Sequence, residues 1–173
     1  MGLHHTYFKM NSTTNILSIN VNGLRGSGRC RNIFAWLKDS EADAFLLQDV
    51  RCEDEVDKIN WSKEWGGAVE WRGKVGILIR KGKGDLQDTS GWGDHLLWGV
   101  WARPGWGPVV VDSCYCLVER GVRITWIEDL LDSGSLVEAG VDVLGGDFNM
   151  VRDATVDCSD GGLDGRGRSG GLN

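Results

Sequence analysis

Two polar side chains follow the last hydrophobic run of the chain at a spacing that suits phosphate or metal chemistry. Asp147 and Asn149 come directly after residues 141–144 and the pair Gly145-Gly146. Alternate residues of an extended chain share a face, so the carboxylate and the amide would point the same way. The carboxylate could bind a divalent cation or orient a nucleophile, and the amide could donate to a phosphate oxygen. The same residue types also favour an Asx-type turn after a strand, so the motif alone leaves both interpretations open.

Two earlier hydrophobic runs end in the same way. Asn20 and Asn22 close an alternating run that starts at Asn15, and Asp49 closes the apolar run that starts at Ala44. A segment with apolar residues at helical spacing lies between the two runs. Strand, helix and strand with short connections form a βαβ unit, whose strands pair in parallel. We therefore expect Asn20, Asn22 and Asp49 at one edge of a sheet, where the strands end.

The rest of the pattern predicts a mixed α/β fold. Residues 53–65 suit a loop or a short helix, and the helix at 121–132 is expected to turn Ile124, Ile127 and Leu131 inward. The remaining elements are helix 28–39, a hairpin within 69–80, two antiparallel strands at 96–101 and 109–117, and a last strand at 141–144.

Composition limits the class of protein. The chain has 173 residues, 41% of them hydrophobic, which suits one globular domain, and its 26 glycines and nine tryptophans indicate tight turns and large anchors. The net charge is −6, and the acidic excess lies in residues 112–164, so a nucleic-acid footprint is expected in residues 1–111. Five cysteines without a CxxC pair predict free thiols in a reducing, intracellular compartment, and no apolar stretch is long enough for a membrane span.

Three motifs in a fixed order resemble those of one known superfamily. Residues 18–25, 46–49 and 145–149 read SINVNGLR, LLQD and GGDFN, and residues 74–79 read KVGILI. In this order they resemble the endonuclease/exonuclease/phosphatase superfamily, most closely the apurinic-type endonuclease domains of LINE-like retrotransposons. The resemblance implies a DNase I-like two-sheet α/β sandwich with a mixed sheet and flanking helices over residues 15–157. A flexible leader is then expected at 1–14 and a glycine-rich tail at 158–173.

The resemblance also implies an activity and a set of roles. The superfamily hydrolyses phosphodiesters, here of nucleic acid, with Mg²⁺, for which Mn²⁺ can substitute. Asp147 would orient and deprotonate the attacking water, and Asn149 would hold the scissile phosphate. Asn20 and Asn22 would contact metal or phosphate, and Asp49 stands where the family places its metal-binding glutamate.

Two further positions keep two interpretations each. Tyr115 begins a segment that resembles the family's Tyr-x-Pro-Asn loop, so it is either a phosphate contact or an ordinary strand aromatic. Arg25 follows the first motif and either tracks a phosphate backbone or starts a solvated helix.

The chain also departs from the family pattern. Asp49 is one methylene shorter than the family's glutamate, only the tyrosine of the Tyr-x-Pro-Asn loop is kept, and the C-terminal Ser-Asp-His motif has no match. The family fold is therefore expected to be truncated, with an exposed sheet face. The alternative to a nuclease is a degenerate, inactive domain that serves as a binding or structural module, with a protein partner over that face.

Overall fold

Two β-sheets pack face to face in the structure, a computed structural model that describes residues 5–10, 14–26 and 28–150. The first sheet has the order β1-β2-β3-β5-β4, with β1 His5–Met10, β2 Thr14–Asn20, β3 Ala44–Gln48, β4 Val69–Arg72 and β5 Val75–Ile79. The second sheet has the order β6-β7-β8-β9, with β6 Asp85–Trp92, β7 Leu96–Ala102, β8 Val109–Tyr115 and β9 Val143–Asp147. The helices are α1 Arg29–Asp39, α2 Glu55–Trp65, α3 Arg120–Asp132 and α4 Ser135–Ala139. Both sheets are mixed and carry flanking helices, as predicted.

Two parallel strand pairs bring four strand ends together. β2 pairs in parallel with β3, which sets Asn20 opposite Gln48, and β8 pairs in parallel with β9, which sets Tyr115 opposite Asp147. The other pairs in both sheets are antiparallel. The predicted βαβ unit is thus confirmed, and a second one is formed by β8, the helices α3 and α4, and β9.

Apolar side chains fill the space between the sheets and beneath the helices. The layer between the sheets contains Ile16, Leu46, Ile77, Trp101 and Val111, all buried. Aromatic residues dominate the layer under α1 and α2, where Phe34 meets Trp65 edge to face at 5.5 Å and stacks on Trp71 at 6.3 Å. Such aromatic contacts add to the burial of apolar area. Several of the nine tryptophans therefore act as anchors of the core.

The outer face of the second sheet holds a buried acid. Asp112 lies on β8 between Trp98 and Leu144 of the neighbouring strands and is fully buried. Neither of its carboxylate oxygens has a hydrogen-bond partner among the described residues. Burial raises the pKa of the Asp112 carboxyl to about 8, because a low-dielectric surrounding disfavours the charged form. Asp112 is therefore an acid that the fold holds mostly protonated at neutral pH.

Helix α3 covers this face with a different side than predicted. Leu130 is buried and Ile127 is half-buried against Cys114 and Cys116, whereas Leu131 is 66% exposed. The prediction that Leu131 and Ile124 face inward is wrong, because the helix packs through the adjacent stripe. Cys114 and Cys116 are both buried in this cluster as free thiols.

Other differences concern chain segments rather than faces. β1 lies within the residues predicted as a leader, since the edge of β2 offers backbone groups for an antiparallel partner. The second sheet has four strands, including the unpredicted β6, so more of it is present than the truncated fold implied. Of the two structures predicted for residues 53–65, a loop or a short helix, the helix is present, with Asp54 as its N-cap. The predicted tail at 158–173 lies outside the described residues, and no described helix has the length and apolar character needed to cross a membrane.

Candidate active site

A hydrogen bond joins the two sheets where their parallel strands end. The side-chain amide of Asn20, at the end of β2, donates to a carboxylate oxygen of Asp147, at the end of β9, over 2.7 Å. The two residues are 127 positions apart in the sequence. The structure thereby brings together two of the sequence-predicted site residues that come from different sheets.

The motifs at these two strand ends have the same local geometry. The backbone N–H of Asn22 donates to the Asn20 side-chain oxygen over 2.8 Å, and that of Asn149 donates to the other oxygen of Asp147 over 3.0 Å. Asn22 and Asn149 both have a left-handed φ of 49°. Such Asx-type turns suit Asn and Asp because their short side chains bond to nearby backbone. The turn interpretation of the sequence is therefore confirmed at these residues, and their role in a functional site stays a prediction.

A close approach of the sheets beneath this point requires glycine. A Cβ on Gly145 would lie 2.6 Å from Leu46 Cδ1 and 3.0 Å from the Cβ and Oγ of Ser18. A side chain on Gly145 would therefore force Leu46, Ser18 or β9 itself to shift. Gly145 thus permits the close approach of the sheets beneath the Asn20–Asp147 bond.

Buried polar side chains also tie the sheets together next to the site. The Gln48 amide donates to the hydroxyls of Ser18 and Ser113, each over 3.2 Å. The Ser113 hydroxyl donates to the Leu47 carbonyl over 2.9 Å. Because these buried groups satisfy one another's hydrogen bonds, they fix the register of the two sheets without leaving an unpaired polar group.

Asp49 lies directly after β3 and is paired with a cation from its own chain. Arg51 donates from Nε to Oδ1 over 3.0 Å and from Nη2 to Oδ2 over 2.8 Å. The same Nη2 lies 3.1 Å from the side-chain oxygen of Asn22 and donates to it. The hydrogen bonds and charge of Asp49 raise the pKa of the Arg51 guanidinium. Asp49 and Arg51 also have left-handed backbone, with φ of 51° and 57°.

Tyr115, at the end of β8, lies beside the same group of residues. Burial raises the pKa of its phenol, the negative charges of Asp49 and Asp147 act in the same direction, and a hydrogen bond with Asn149 opposes them. The phenol therefore keeps its proton across the neutral range and can donate it in a hydrogen bond. The side-chain amide of Asn149 also donates to the carbonyl of Cys116, which anchors it.

Arg25 is engaged by three acids on the segment leading into α2 and on α2 itself. Its guanidinium lies 2.7 Å from Glu53 and 2.6 Å from both Asp54 and Asp57. Hydrogen bonding and the charges of these carboxylates raise the pKa of Arg25. The structure thus places Arg25 in an ion-pair cluster, and its role toward a phosphate stays a prediction.

The donor atoms around Asp49 fit a hard divalent cation. Asp49 supplies a carboxylate, and Asn20 and Asn22 supply amide oxygens, which are the ligand types that Mg²⁺ accepts together with water and substrate phosphate. No group of three or more His, Cys, Asp or Glu side chains capable of holding a metal occurs among the residues described. A cation at Asp49 would therefore have to be held by this one carboxylate together with neutral oxygens and water.

Two residues at the site were not predicted. Arg51 follows the LLQD motif by two positions, and this spacing to an acid was the available signal. His95 lies in the turn between β6 and β7 and stacks on Tyr115 at 6.0 Å, with Nδ1 2.9 Å from the Tyr115 carbonyl oxygen. No sequence pattern links His95 to Tyr115, because their contact depends on the pairing of β7 with β8.

Comparison with known proteins agrees with this architecture. The structure is similar to D. rerio TDP2 complexed with single-strand DNA product, with 18% identity, a TM-score of 0.61, and coverage of 84% of this chain and 64% of that one. It is also similar to an endonuclease/exonuclease/phosphatase family protein from Bacteroides thetaiotaomicron (15% identity, TM-score 0.57, coverage 91% and 67%). A third is ANGEL2, a 2',3'-cyclic phosphatase (20% identity, TM-score 0.55, coverage 76% and 46%). At these identities the likeness concerns the fold, and it confirms the DNase I-like two-sheet α/β sandwich.

The extent of the match is also informative. The chain spans 64% of the length of the D. rerio TDP2 structure. No curated protein sequence matches it. The sequence model of the Endonuclease/Exonuclease/phosphatase family, in contrast, matches residues 15–168, which is most of the chain. The chain therefore belongs to the endonuclease/exonuclease/phosphatase family.

Proposed function

We propose that this protein hydrolyses phosphodiester bonds of nucleic acid with the help of a divalent cation. The observation that carries the proposal is the 2.7 Å hydrogen bond between Asn20 and Asp147, which builds one polar site from the ends of both sheets. Family membership supports the same reaction class. D. rerio TDP2, which shares the fold, has been crystallised with a single-strand DNA product.

Asp147 is the proposed base. Both of its oxygens accept a hydrogen bond, one from the Asn20 amide and one from the Asn149 backbone, so the carboxylate has a fixed orientation. Each oxygen keeps a further lone pair for a water molecule. In the proposed step the water oxygen forms a bond to phosphorus, the proton of the water passes to Asp147, the ester P–O bond breaks, and the leaving oxygen takes a proton from solvent water.

Asn149 and Tyr115 are the proposed phosphate donors. One amide hydrogen of Asn149 is used by the Cys116 carbonyl, and the second, which bonds to the Tyr115 phenol, would turn to a phosphate oxygen when substrate binds. The raised pKa of Tyr115 keeps its hydroxyl protonated and able to donate. Neutral donors aimed at a phosphate stabilise the charge that develops on its oxygens during the reaction.

Asp49 and Asn20 are the proposed ligands of Mg²⁺, for which Mn²⁺ can substitute. Asn22 lies next to them, because its backbone N–H binds the Asn20 side chain. The Asn20 side-chain oxygen accepts one bond from the Asn22 backbone and keeps a second lone pair. A cation bound there supplies charge neutralisation for the phosphate. The narrower proposal, an endonuclease of the retrotransposon type, rests on the motif resemblance alone.

The test is cleavage of supercoiled plasmid by the purified protein with Mg²⁺, beside the variant Asp147→Asn. The variant keeps the shape of the side chain but loses the base, so nicking should fall by about 10²–10⁴-fold. Its thermal midpoint should stay within a few degrees of the wild type. Asp132→Asn, which removes an exposed acid at the end of α3, is the matched control and should nick as the wild type does.

Three results would speak against the proposal. Wild-type protein that does not cleave, or Asp147→Asn that cleaves as well as the wild type, would remove the assigned reaction. Unfolding of Asp147→Asn would mean that the Asn20–Asp147 bond is structural.

The second candidate is an inactive domain that binds a partner. The observation that favours it is that both oxygens of Asp49 already bind Arg51 within the chain. Plasmid binding without cleavage, unchanged by Asp147→Asn, would support this alternative.

A further inference from the structure

We propose that Arg51 is a built-in competitor of the divalent cation, so that metal binding at Asp49 releases the Arg51 guanidinium toward the substrate. This inference rests on the proposed function in one respect, which is that it takes Asp49 as the metal-binding carboxylate. It goes further because it assigns a switching role to a residue outside the three strand-end motifs.

The guanidinium occupies the oxygen atoms that a cation would use. Arg51 binds both oxygens of Asp49 through Nε and Nη2, at 3.0 and 2.8 Å, in the two-pronged arrangement that matches a carboxylate. Its Nη2 also reaches the side-chain oxygen of Asn22 at 3.1 Å. One positive group therefore contacts three oxygens from two strand ends. A divalent cation in the same place would stand next to a like charge, which disfavours joint occupancy.

The backbone holds Arg51 in this place before any ligand arrives. Asp49 and Arg51 both have left-handed φ, which turns the chain so that the Arg51 side chain folds back onto Asp49. The Arg51 side chain also runs along Gly23, with Cδ 3.6 Å from the position a Cβ would have there. The loop conformation therefore positions Arg51 on Asp49. An exposed ion pair that is held by charge attraction alone usually contributes little to stability.

The exposure of the Arg51 side chain and its proximity to Tyr115 would allow the guanidinium to leave Asp49 and bind substrate. The Arg51 side chain is 48% exposed whereas that of Asp49 is 8% exposed, so Arg51 can leave without opening the core. Arg51 lies near enough to Tyr115 for the guanidinium charge to act on the phenol, whose pKa it lowers against the stronger effect of burial. A released guanidinium would thus stay beside the proposed phosphate donor, and arginine is well shaped for binding phosphate oxygens.

The test is the affinity of the 173-residue protein for Mn²⁺, measured by titration with detection of free Mn²⁺ by electron paramagnetic resonance. Arg51→Gln removes the competing charge, and we expect Mn²⁺ to bind about tenfold more tightly than in the wild type. Arg51→Lys keeps the charge but loses the two-pronged contact, so its affinity should lie between the two. The double variant Asp49→Asn/Arg51→Gln should not bind Mn²⁺ more tightly than the wild type, because it lacks the Asp49 carboxylate.

A matched control separates this competition from a change in net charge. Arg31 is 77% exposed on α1, and its ion pair with Glu64 is long, at 3.7 Å. Arg31→Gln removes the same charge as Arg51→Gln, and its Mn²⁺ affinity should stay within about twofold of the wild type.

The outcomes distinguish this inference from the proposed function. If Arg51→Gln binds Mn²⁺ no more tightly than the wild type, binds none, or gains no more than Arg31→Gln, the competition is refuted even when the protein cleaves DNA. If Arg51→Gln gains affinity for Mn²⁺ while neither the wild type nor any variant cleaves DNA, the competition is supported and the proposed function is refuted. Circular dichroism of each variant confirms that a change in affinity does not come from unfolding.

Discussion

Replacing Asp112 by valine should stabilise the protein, and the gain should depend on pH. Asp112 is fully buried on β8, and neither carboxylate oxygen has a hydrogen-bond partner among the described residues. Valine removes the polar group, and its branched side chain suits a strand. The perturbation thus removes a cost of folding without removing a contact that the structure shows.

The magnitude follows from the proton that the folded state retains. Burial raises the pKa of Asp112 from its usual 3.8 to about 8. Between these values the folded protein binds a proton that the unfolded chain has lost, so the contribution of Asp112 to stability falls as pH rises. Each pH unit in this window costs about 1.4 kcal/mol, which gives up to about 4 kcal/mol near neutral pH. For a domain of this size that corresponds to a rise in the midpoint of about 8–16 °C for Asp112→Val.

The assay is urea unfolding of the wild type and Asp112→Val at about pH 5 and about pH 8. The difference in unfolding free energy should be larger at the higher pH, by up to about 4 kcal/mol, because three units of the window lie between the two conditions. Asp132→Val changes an exposed acid, so its effect should stay within about 0.5 kcal/mol and should not depend on pH.

Two results would refute this reasoning. A gain for Asp112→Val that is equal at both pH values would mean that the folded protein does not hold a proton on this carboxyl. A loss of stability in the variant would mean that Asp112 has a favourable interaction that outweighs its burial.

Two further predictions concern the positions that build the site. Gly145→Ala should destabilise the protein by about 1–3 kcal/mol and also lower the rate of cleavage, because its Cβ would lie 2.6 Å from Leu46 and separate Asp147 from Asn20. Urea unfolding measures the loss of stability, and plasmid nicking measures the loss of cleavage. Unchanged values in both assays would contradict the close approach of the sheets at Gly145. Tyr115→Phe should keep the thermal midpoint within a few degrees and slow cleavage by about 10–100-fold, since it removes only the phenol hydroxyl. Single-turnover kinetics measure the rate of cleavage. An unchanged rate would make Tyr115 an ordinary strand aromatic.

Periodicity allowed much of the fold to be predicted. The runs ending at Asn20 and Asp49 alternate or are uniformly apolar, so the first βαβ unit and its edge followed from local patterns. β6 was missed because Asp85–Trp92 is largely polar and exposed, and a strand at a sheet edge has no buried face to impose alternation. The stripe of α3 that turns inward depends on its packing against β7 and β8, which the helix sequence alone does not encode.

The sequence indicated which strand ends carry the candidate site residues, but not which side chains these residues contact. The order of the strand ends indicated that Asn20 and Asp49 would lie together, and the motif resemblance added Asp147. The partners of these groups were not predictable, because Arg51 reaches Asp49 only through two left-handed residues and His95 reaches Tyr115 only through strand pairing. Backbone conformations of this kind have weak sequence signals in residues other than glycine.

The left-handed residues also decide how this protein can be engineered. Among described non-glycine residues, five have positive φ, and four of them, Asn22, Asp49, Arg51 and Asn149, belong to the site. Each costs about 1 kcal/mol relative to glycine, which adopts this conformation without strain. A selection for thermal stability alone would therefore favour glycine at these positions and remove the groups proposed to act on the substrate. Stability and activity are opposed at these four positions, so a stabilised version of this protein should be sought at sites such as Asp112 and not at the strand ends.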